Sequence, residues 1–216
     1  MPCGIKVFGE KGTCFMAGSS GKDAAGDQDT YWVLRKDQLE CMASTVRMDI
    51  VDHLVGNGEM SIKQLAASMG RQPSSIYYHI NMLVEAGLVV EAGTQVSNRR
   101  TEVLYATRAP RMRLQKALAD PENFETIDRT VGAVCRQAHR DFVQGLTHAD
   151  AQLEGPDRNL GFFRLINRPS PESLREINGY IERIAEILWE ERDMDQPLIA
   201  FAWTLTPLHD KAESDE

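Results

Sequence analysis

The sequence predicts an α+β fold, mainly α with a small β part, and three observations support this prediction. Apolar residues recur every three or four positions over several segments, which is the period of a helix with one buried face. Shorter segments bounded by turn residues alternate as strands do. No run approaches the roughly 18 consecutive apolar residues of a membrane helix. The 216 residues suffice for one large domain or two small ones.

The first predicted helix begins at Asp37 and ends at the Gly-Asn-Gly run 56–58. Its apolar stripe consists of Leu39, Met42, Val46, Ile50 and Leu54. Residues 1–34 precede it and hold many small polar residues without an apolar period. We therefore predict a flexible leader over 1–34.

Two shorter helices follow, separated by a tight turn. Ser61 and Gln64 have the spacing of a capping box, in which the serine hydroxyl and the glutamine amide each satisfy a free backbone N–H. Gly70 ends this helix, and Pro73 suits the first turn of the next one, because its missing N–H would be unpaired there. The buried faces are Ile62, Leu65, Ala66 and Met69 in the first, and Ile76, Ile80, Leu83 and Val84 in the second.

Gly87 ends the third helix, and two strands are predicted after it, Leu88–Glu91 and Glu102–Thr107, joined by the polar loop Ala92–Thr101. Three helices followed by a charged hairpin form the order of a winged helix-turn-helix, which we assign to residues 35–110. In such a unit the third helix enters the major groove of DNA, and the hairpin reaches the neighbouring backbone or minor groove. Double-stranded DNA is therefore the predicted partner.

Polar side chains that do not face the core are the candidate DNA contacts. On and before the third helix these are Arg71, Gln72, Ser74, Ser75, Tyr77, Tyr78, His79 and Asn81. In the hairpin they are Gln95, Asn98, Arg99 and Arg100. Hydroxyl, amide and guanidinium groups suit base edges and phosphate oxygens, and the positive end of a helix favours phosphate.

Several of these segments, in order, resemble the DNA-binding domain of ArsR-type winged-helix transcription regulators. The matching parts are Ser61 to Met69, the run SSIYYHI at 74–80, the EAGLV junction at 85–89, and Arg100 with Tyr105. The resemblance covers about a third of the chain. It implies that Ser74, Ser75, Tyr77, Tyr78 and His79 face DNA and that Arg99 and Arg100 form the wing contact. Metal-sensing members carry cysteine ligands in the helix before the recognition helix, but Ile62–Met69 holds neither cysteine nor histidine.

Residues 111–210 form a predicted C-terminal α/β domain for dimerisation or sensing, and residues 211–216 an acidic, frayed tail. The expected order is helix, strand, helix, strand: a helix from Asp120, a strand at Phe162–Ile166, a helix capped by Ser170, and a strand after Pro197. Because helix-turn-helix proteins bind two half-sites, we expect a homodimer. The apolar stripes of both helices could form an internal core, but we favour the dimer, with the stripes shared between core and interface. The expected interface residues are Phe124, Ile127, Val131, Val134, Leu174, Ile177, Ile181, Ile184 and Leu188.

The charge distribution leaves a second function open. The net charge is −8, and residues 31–113 carry ten Lys and Arg against eight Asp and Glu, whereas residues 114–216 carry eleven against twenty. Because the middle segment is only weakly basic, it is also compatible with a winged helix that binds protein and not DNA. A DNA-binding regulator remains the preferred interpretation.

Other functions have weaker support in the sequence. Cys135 and His139 share a helix face, but two ligands do not make a metal site, so a metal- or redox-responsive regulator is only an alternative, and no metal or cofactor is expected. A small effector could bind among Phe162, Phe163, Tyr180, Trp189, Phe201 and Trp203, although these aromatic residues are more typical of a core. No catalytic motif occurs, which predicts a non-enzyme. Few cysteines and no apolar leader predict a cytoplasmic protein.

Overall fold

The computed structural model describes residues 29–97, 99–190 and 193–208. The predicted α+β fold is confirmed: helices dominate and the strands are few. The elements in chain order are β1 Thr30–Trp32, α1 Lys36–Met42, α2 Thr45–Asn57, β2 Met60–Ser61, α3 Ile62–Ser68, α4 Pro73–Glu85, β3 Val89–Ser97, β4 Arg100–Thr107, β5 Arg111–Arg113, α5 Phe124–Gly145 and α6 Pro171–Glu190. Short 3₁₀ turns, Gln115–Ala119 and Pro121–Asn123, precede α5.

The core lies in the first half of the chain. Helices α2, α3 and α4 pack against a three-stranded antiparallel sheet in the order β2-β4-β3, and α1 packs against α2. Fully buried side chains from all four helices and from the β3 region fill the space between them, among them Leu39, Ile50, Leu54, Leu65, Ile76, Ile80, Leu83 and Leu88. This is a winged helix-turn-helix arrangement in which α4 is the third helix of the motif and β3–β4 is the wing.

The prediction of one continuous first helix was wrong, because the structure has two helices in this segment. Helix α1 ends at Met42, and α2 begins at Thr45 after the extended residue Ser44. The Arg47 side chain explains the break, because its guanidinium donates to the carbonyl oxygens of Cys41 at 2.6 Å and Glu40 at 3.3 Å. These carbonyls at the end of α1 would otherwise lack partners.

The ends of α3 and α4 form as the sequence predicts. The Ser61 hydroxyl accepts from the backbone N–H of Gln64, and the Gln64 side chain accepts from the backbone N–H of Ser61. Pro73 occupies the first turn of α4. Gly70 and Gly87, with φ of 60° and 71°, follow the two helices in the left-handed region that favours glycine.

The wing is longer than the two predicted strands. The predicted loop Ala92–Thr101 is mostly strand, because β3 runs to Ser97 and pairs with β4 from Arg100. The register shifts between Glu91 and Gly93 because Ala92 has no partner in the ladder, and beyond it Thr94, Gln95 and Val96 continue the pairing. The turn therefore contracts to the residues around Arg99.

The ends of the winged unit are joined by a second, smaller sheet. Strand β1 pairs with β5 in parallel, with Thr30 opposite Arg111 and Trp32 opposite Arg113. The predicted leader over 1–34 is thus wrong at its end, because residues 30–32 form a strand and Val33 is fully buried. Residues 1–28 lie outside the described part of the chain.

Helix α5 packs on the winged unit through a face next to the predicted apolar stripe. It contacts α1 and α2 through Thr126, Thr130 and Ala133, which are buried. Thr130 can be buried because its hydroxyl donates to the carbonyl oxygen of Thr126 at 2.8 Å. The predicted apolar stripe of this helix lies beside that contact, with Phe124 and Val131 exposed. Packing therefore continues across residue 110, where we predicted a domain boundary.

The rest of the C-terminal half is open. Helix α6 has the predicted Ser170 cap, since the Ser173 N–H donates to its hydroxyl, but no residue of α6 is buried. The predicted strands at Phe162–Ile166 and after Pro197 do not form. A strand needs a neighbouring edge to pair with, and the described chain offers these segments none. Within the described residues, no helix is both long and apolar enough to cross a membrane.

Candidate nucleic-acid interface

Helix α4 separates its side chains into a buried and an exposed face. Ile76, Ile80 and Leu83 have no accessible surface. On the opposite side Tyr77 and Tyr78 are 55% and 65% exposed, and the remaining exposed residues predicted as contacts on or before α4 are Arg71, Gln72, Ser74, Ser75 and Asn81. The structure thus brings the predicted side chains together on one accessible surface.

The start of α4 is held by local hydrogen bonds. The hydroxyl of Ser75 donates to the carbonyl oxygen of Gln72 at 2.9 Å, which leaves its lone pairs free to accept. The Arg71 N–H donates to the carbonyl oxygen of Ala66 at 2.8 Å, which fixes the turn between α3 and α4. The Arg71 side chain lies just before the N-terminus of the helix, where backbone N–H groups attract anions.

His79 differs from its exposed neighbours. It is half-buried, its ring lies 5.4 Å from that of Tyr78, and its Nδ1 has no hydrogen-bond partner among the described residues. Burial lowers the pKa of His79, and the positive charges of Arg47 and Arg71 lower it further. The imidazole is therefore neutral near pH 7. It can donate one hydrogen bond and accept another through its two ring nitrogens, but it does not act as a permanent cation.

The end of α4 is tied to α1 by two side chains that the sequence did not indicate. Arg35 and Gln38 both donate to the carbonyl oxygen of Ala86, at 3.0 and 2.9 Å. Gln38 is fully buried and its amide nitrogen also lies 2.8 Å from the hydroxyl of Tyr31. No local pattern identifies such a pair, because donors and acceptor lie about 50 residues apart in the chain.

The wing carries two exposed arginines at its tip. Arg99 adopts a left-handed conformation with φ of 61°, and Arg100 begins β4 opposite Ser97. Neither forms an ion pair among the described residues. Asn98, the other predicted contact at the tip, lies outside the described residues. The tip thus presents two cations, each without an acidic partner in that part of the chain.

The base of the wing is attached to α3 rather than left free. Lys63 forms an ion pair with Glu102, which lowers the pKa of Glu102, and Ser61 lowers it further by a hydrogen bond. Gln95, predicted as a DNA contact, is half-buried and donates to the side-chain oxygen of Gln64 at 3.2 Å. Its amide therefore positions the wing on the capping box of α3.

The expected dimerisation residues lie on two helices. On α5, Ile127 and Val134 are half-buried against the winged core, whereas Phe124 and Val131 are exposed. On α6, Leu174, Ile177, Ile184 and Leu188 are exposed and Ile181 is half-exposed. Helix α6 is attached through an Arg113–Glu182 ion pair of 2.9 Å and through Trp189, whose ring lies 4.7 Å from the Arg113 guanidinium.

The other predicted sites do not assemble in the described residues. Cys135 is exposed, and no three His, Cys, Asp or Glu residues in the described ranges are grouped to hold a metal. The aromatic residues considered for an effector cavity do not surround one, since Phe162 and Phe163 are 85% and 86% exposed and Trp189 lies against Arg113. They do not form a core either, contrary to the other expectation.

Comparison with known proteins supports the motif. Residues 42–92 match the family model described as a helix-turn-helix domain. No curated protein matches the chain. Among solved structures, the chain is similar to a double mutant of ZitR from Lactococcus lactis in its apo form, at 12% identity over 68% of this chain and 84% of that one, with a TM-score of 0.25. A likeness at that TM-score carries no argument. The chain thus contains a helix-turn-helix domain, the structural unit of a DNA-binding transcription regulator.

Proposed function

We propose that this protein is an ArsR-like transcription regulator that binds specific double-stranded DNA as a homodimer. The observation that carries the proposal is the division of α4, with its apolar side buried in the core and its polar side exposed beside the arginines of the wing. A helix presented in this way fits the major groove. A DNA-binding role would place the protein in the cytoplasm, as the sequence predicts.

Each group of residues has a distinct proposed role. Ser74, Ser75 and Tyr77 contact base edges from the first two turns of α4, and Asn81 does so from the third turn, because their groups donate and accept hydrogen bonds. Arg71 and the wing residues Arg99 and Arg100 bind phosphates or enter the minor groove. The remaining candidates, Gln72, Tyr78 and His79, contact the sugar-phosphate backbone from the sides of the helix.

The homodimer follows from the symmetry of such sites. Two copies related by a twofold axis bind two half-sites about one helical turn apart, roughly 34–36 Å. The proposed division is a DNA-binding unit over 35–110 and a dimerisation unit over 111–210. An effector is not part of the proposal, because the candidate aromatic residues are exposed rather than arranged around a cavity.

The test is a titration of labelled DNA with the full chain. A duplex from the region upstream of its own gene is compared with a scrambled duplex of the same length, at low and at physiological salt. Binding that prefers the upstream duplex and persists at physiological salt supports the proposal.

A matched pair of variants separates base contacts from phosphate contacts. We expect Tyr77→Phe to narrow the preference for the upstream duplex, whereas Arg99→Ala should weaken binding to both duplexes alike. Absence of binding at low salt, to the upstream duplex and to a pool of random duplexes, would refute DNA binding. It would favour the protein-binding winged helix instead.

A further inference from the structure

The chain ends, within its described part, on an apolar segment that pairs with no strand, residues 197–208, here called the tail segment. Ile199, Phe201, Trp203 and Leu205 alternate with the small residues Ala200, Ala202 and Thr204, and all four large side chains are 44–50% exposed. Within the described residues, 199–205 form no backbone hydrogen bond. The segment thus has the composition of a strand and the unpaired backbone of a sheet edge.

The amount of exposed apolar surface requires a cover. Seventeen large apolar side chains between residues 162 and 208 are exposed, on α6 and on the segments flanking it. The five aromatic side chains among them, each of ~150–250 Å² and 44–86% exposed, leave on the order of 500–800 Å² per copy, and the twelve aliphatic side chains enlarge that area. A monomer rarely exposes an apolar patch larger than ~600 Å², whereas permanent homodimers bury roughly 2,000–5,000 Å² in total.

We infer that the tail segment pairs antiparallel with the tail segment of a second copy, forming a strand ladder across the twofold axis. The inference rests on the proposed homodimer and specifies the surface that forms it. Antiparallel pairing is the arrangement a twofold axis imposes on identical strands that lie across it.

The register follows from the alternation. With Ala202 opposite Ala202 of the second copy, Ile199 faces Leu205 and Phe201 faces Trp203, so all four large residues of each copy have apolar neighbours on one face. Centring the ladder on Phe201 would place Leu205 opposite Pro197. Centring it on Trp203 would place Ile199 opposite Pro207. The register at Ala202 is the one that pairs all four large side chains with each other.

The attachment of the segment places this ladder beside the DNA-binding unit. Leu198 rests on α2, since a Cβ added at Gly56 would come within 2.7 Å of its Cδ1. The segment therefore begins on the winged core and its pairing fixes the relative position of two winged units. Because the C-terminal halves are both acidic, high salt should favour this association while it weakens DNA binding.

The test uses cysteine cross-linking in the full chain. Cys3, Cys14 and Cys135 are replaced by serine, and the buried Cys41 is retained. In the inferred register the two Ala202 Cα atoms lie roughly 4.5–5.5 Å apart, within the ~4.4–6.8 Å that a disulfide spans. The two Ala200 Cα atoms lie roughly 13–14 Å apart, because the residue opposite Ala200 is Thr204 of the second copy, four positions away from its Ala200. Ala200→Cys on the same small-residue face is thus the matched control.

We expect Ala202→Cys to form a covalent dimer under mild oxidation at least tenfold faster than Ala200→Cys. The double variant Ala200→Cys/Thr204→Cys should recover fast cross-linking, because these positions face each other. Circular dichroism of the reduced variants verifies folding, and light scattering at low and high salt gives the mass.

The outcomes separate this inference from the proposed function. A dimer that binds DNA but cross-links equally at positions 200 and 202 overturns the strand pairing and leaves the proposed function standing. If light scattering gives the mass of a monomer at all salt concentrations, both the strand pairing and the proposed homodimer are refuted, whether or not the chain binds DNA. Selective linkage at Ala202 in a chain that binds no DNA supports the pairing and refutes the proposed regulator.

Discussion

Replacement of Arg100 by alanine gives the sharpest test of the wing. Arg100 begins β4, is exposed, and has no acidic partner in the described chain, so it is free to bind a phosphate. Each phosphate contact lowers the slope of log affinity against log salt by about 0.9 on B-DNA. A dimer places two copies of Arg100 on the duplex, so the variant should have a slope that is less steep by about 1.8.

The same numbers predict how the two proteins differ as salt increases. Between 50 and 200 mM salt, the ratio of wild-type to variant affinity should decrease by about tenfold, because a fourfold change in salt acts through a slope difference of about 1.8. Fluorescence anisotropy with a labelled duplex at four or more salt concentrations measures this slope. Circular dichroism of the variant verifies that its overall secondary structure is unchanged.

Arg175→Ala is the control for net charge. Arg175 lies on α6, where it pairs with Glu172 at 2.9 Å, and its removal changes the charge by the same amount. It should leave the slope unchanged. A slope for Arg100→Ala that equals the wild-type slope would refute the phosphate contact, even if the affinity itself had decreased.

Three further predictions concern stability. Ser61→Ala removes the capping box of α3 and should lower the free energy of unfolding by about 0.5–2 kcal/mol, more than Ser170→Ala on the open α6; equal losses in urea titrations would contradict this. Gln38→Ala removes the hydrogen bonds of its amide to the carbonyl of Ala86 and to the hydroxyl of Tyr31, each worth about 0.5–1.5 kcal/mol, so it should cost about 1–3 kcal/mol. An unchanged urea midpoint would exclude a stabilising role for Gln38. Asp52 is an exposed residue, but desolvation by the protein packed around its carboxyl, with the negative charges of Asp49 and Asp141, raises its pKa to about 7. The native state then keeps a proton that the unfolded chain releases near pH 4, so stability should decrease from about pH 4 to about 7. Asp52→Asn should therefore raise the melting temperature at pH values above about 7 and leave it unchanged below about pH 4. If the melting temperatures of the variant and the wild type differed by the same amount at every pH, the assignment would be refuted.

The part of the fold that local chemistry encodes could be predicted from the sequence. The ends of α3 and α4 depend on residues within a few positions of each other: Ser61 with Gln64, Pro73 in the first turn, and glycines in the left-handed region. The exposed face of α4 follows from its period, because burying Ile76, Ile80 and Leu83 turns the intervening residues outward. The confirmed α+β fold is the sum of such local signals.

The features that were missed depend on distant or absent partners. Arg47 ends α1 from the following helix, and Arg35 reaches a carbonyl 51 residues away, so no window of sequence contains both groups. The buried threonines of α5 were missed because the prediction of buried faces counts only apolar residues. Thr130 can be buried since its hydroxyl donates to a backbone carbonyl oxygen of the preceding turn. The strands of the C-terminal half were predicted from alternation alone, and alternation does not supply a neighbouring edge.

The parallel pair of β1 and β5 has a consequence for the order of folding. Its two strands are three residues each and lie on the order of 80 positions apart in the chain, so their pairing costs loop-closure entropy with few hydrogen bonds in return. The hairpin β3–β4 and the helices around it involve near neighbours and can form first. We therefore expect the amides of β1 and β5 to exchange with solvent before those of the central sheet, with the winged core still closed.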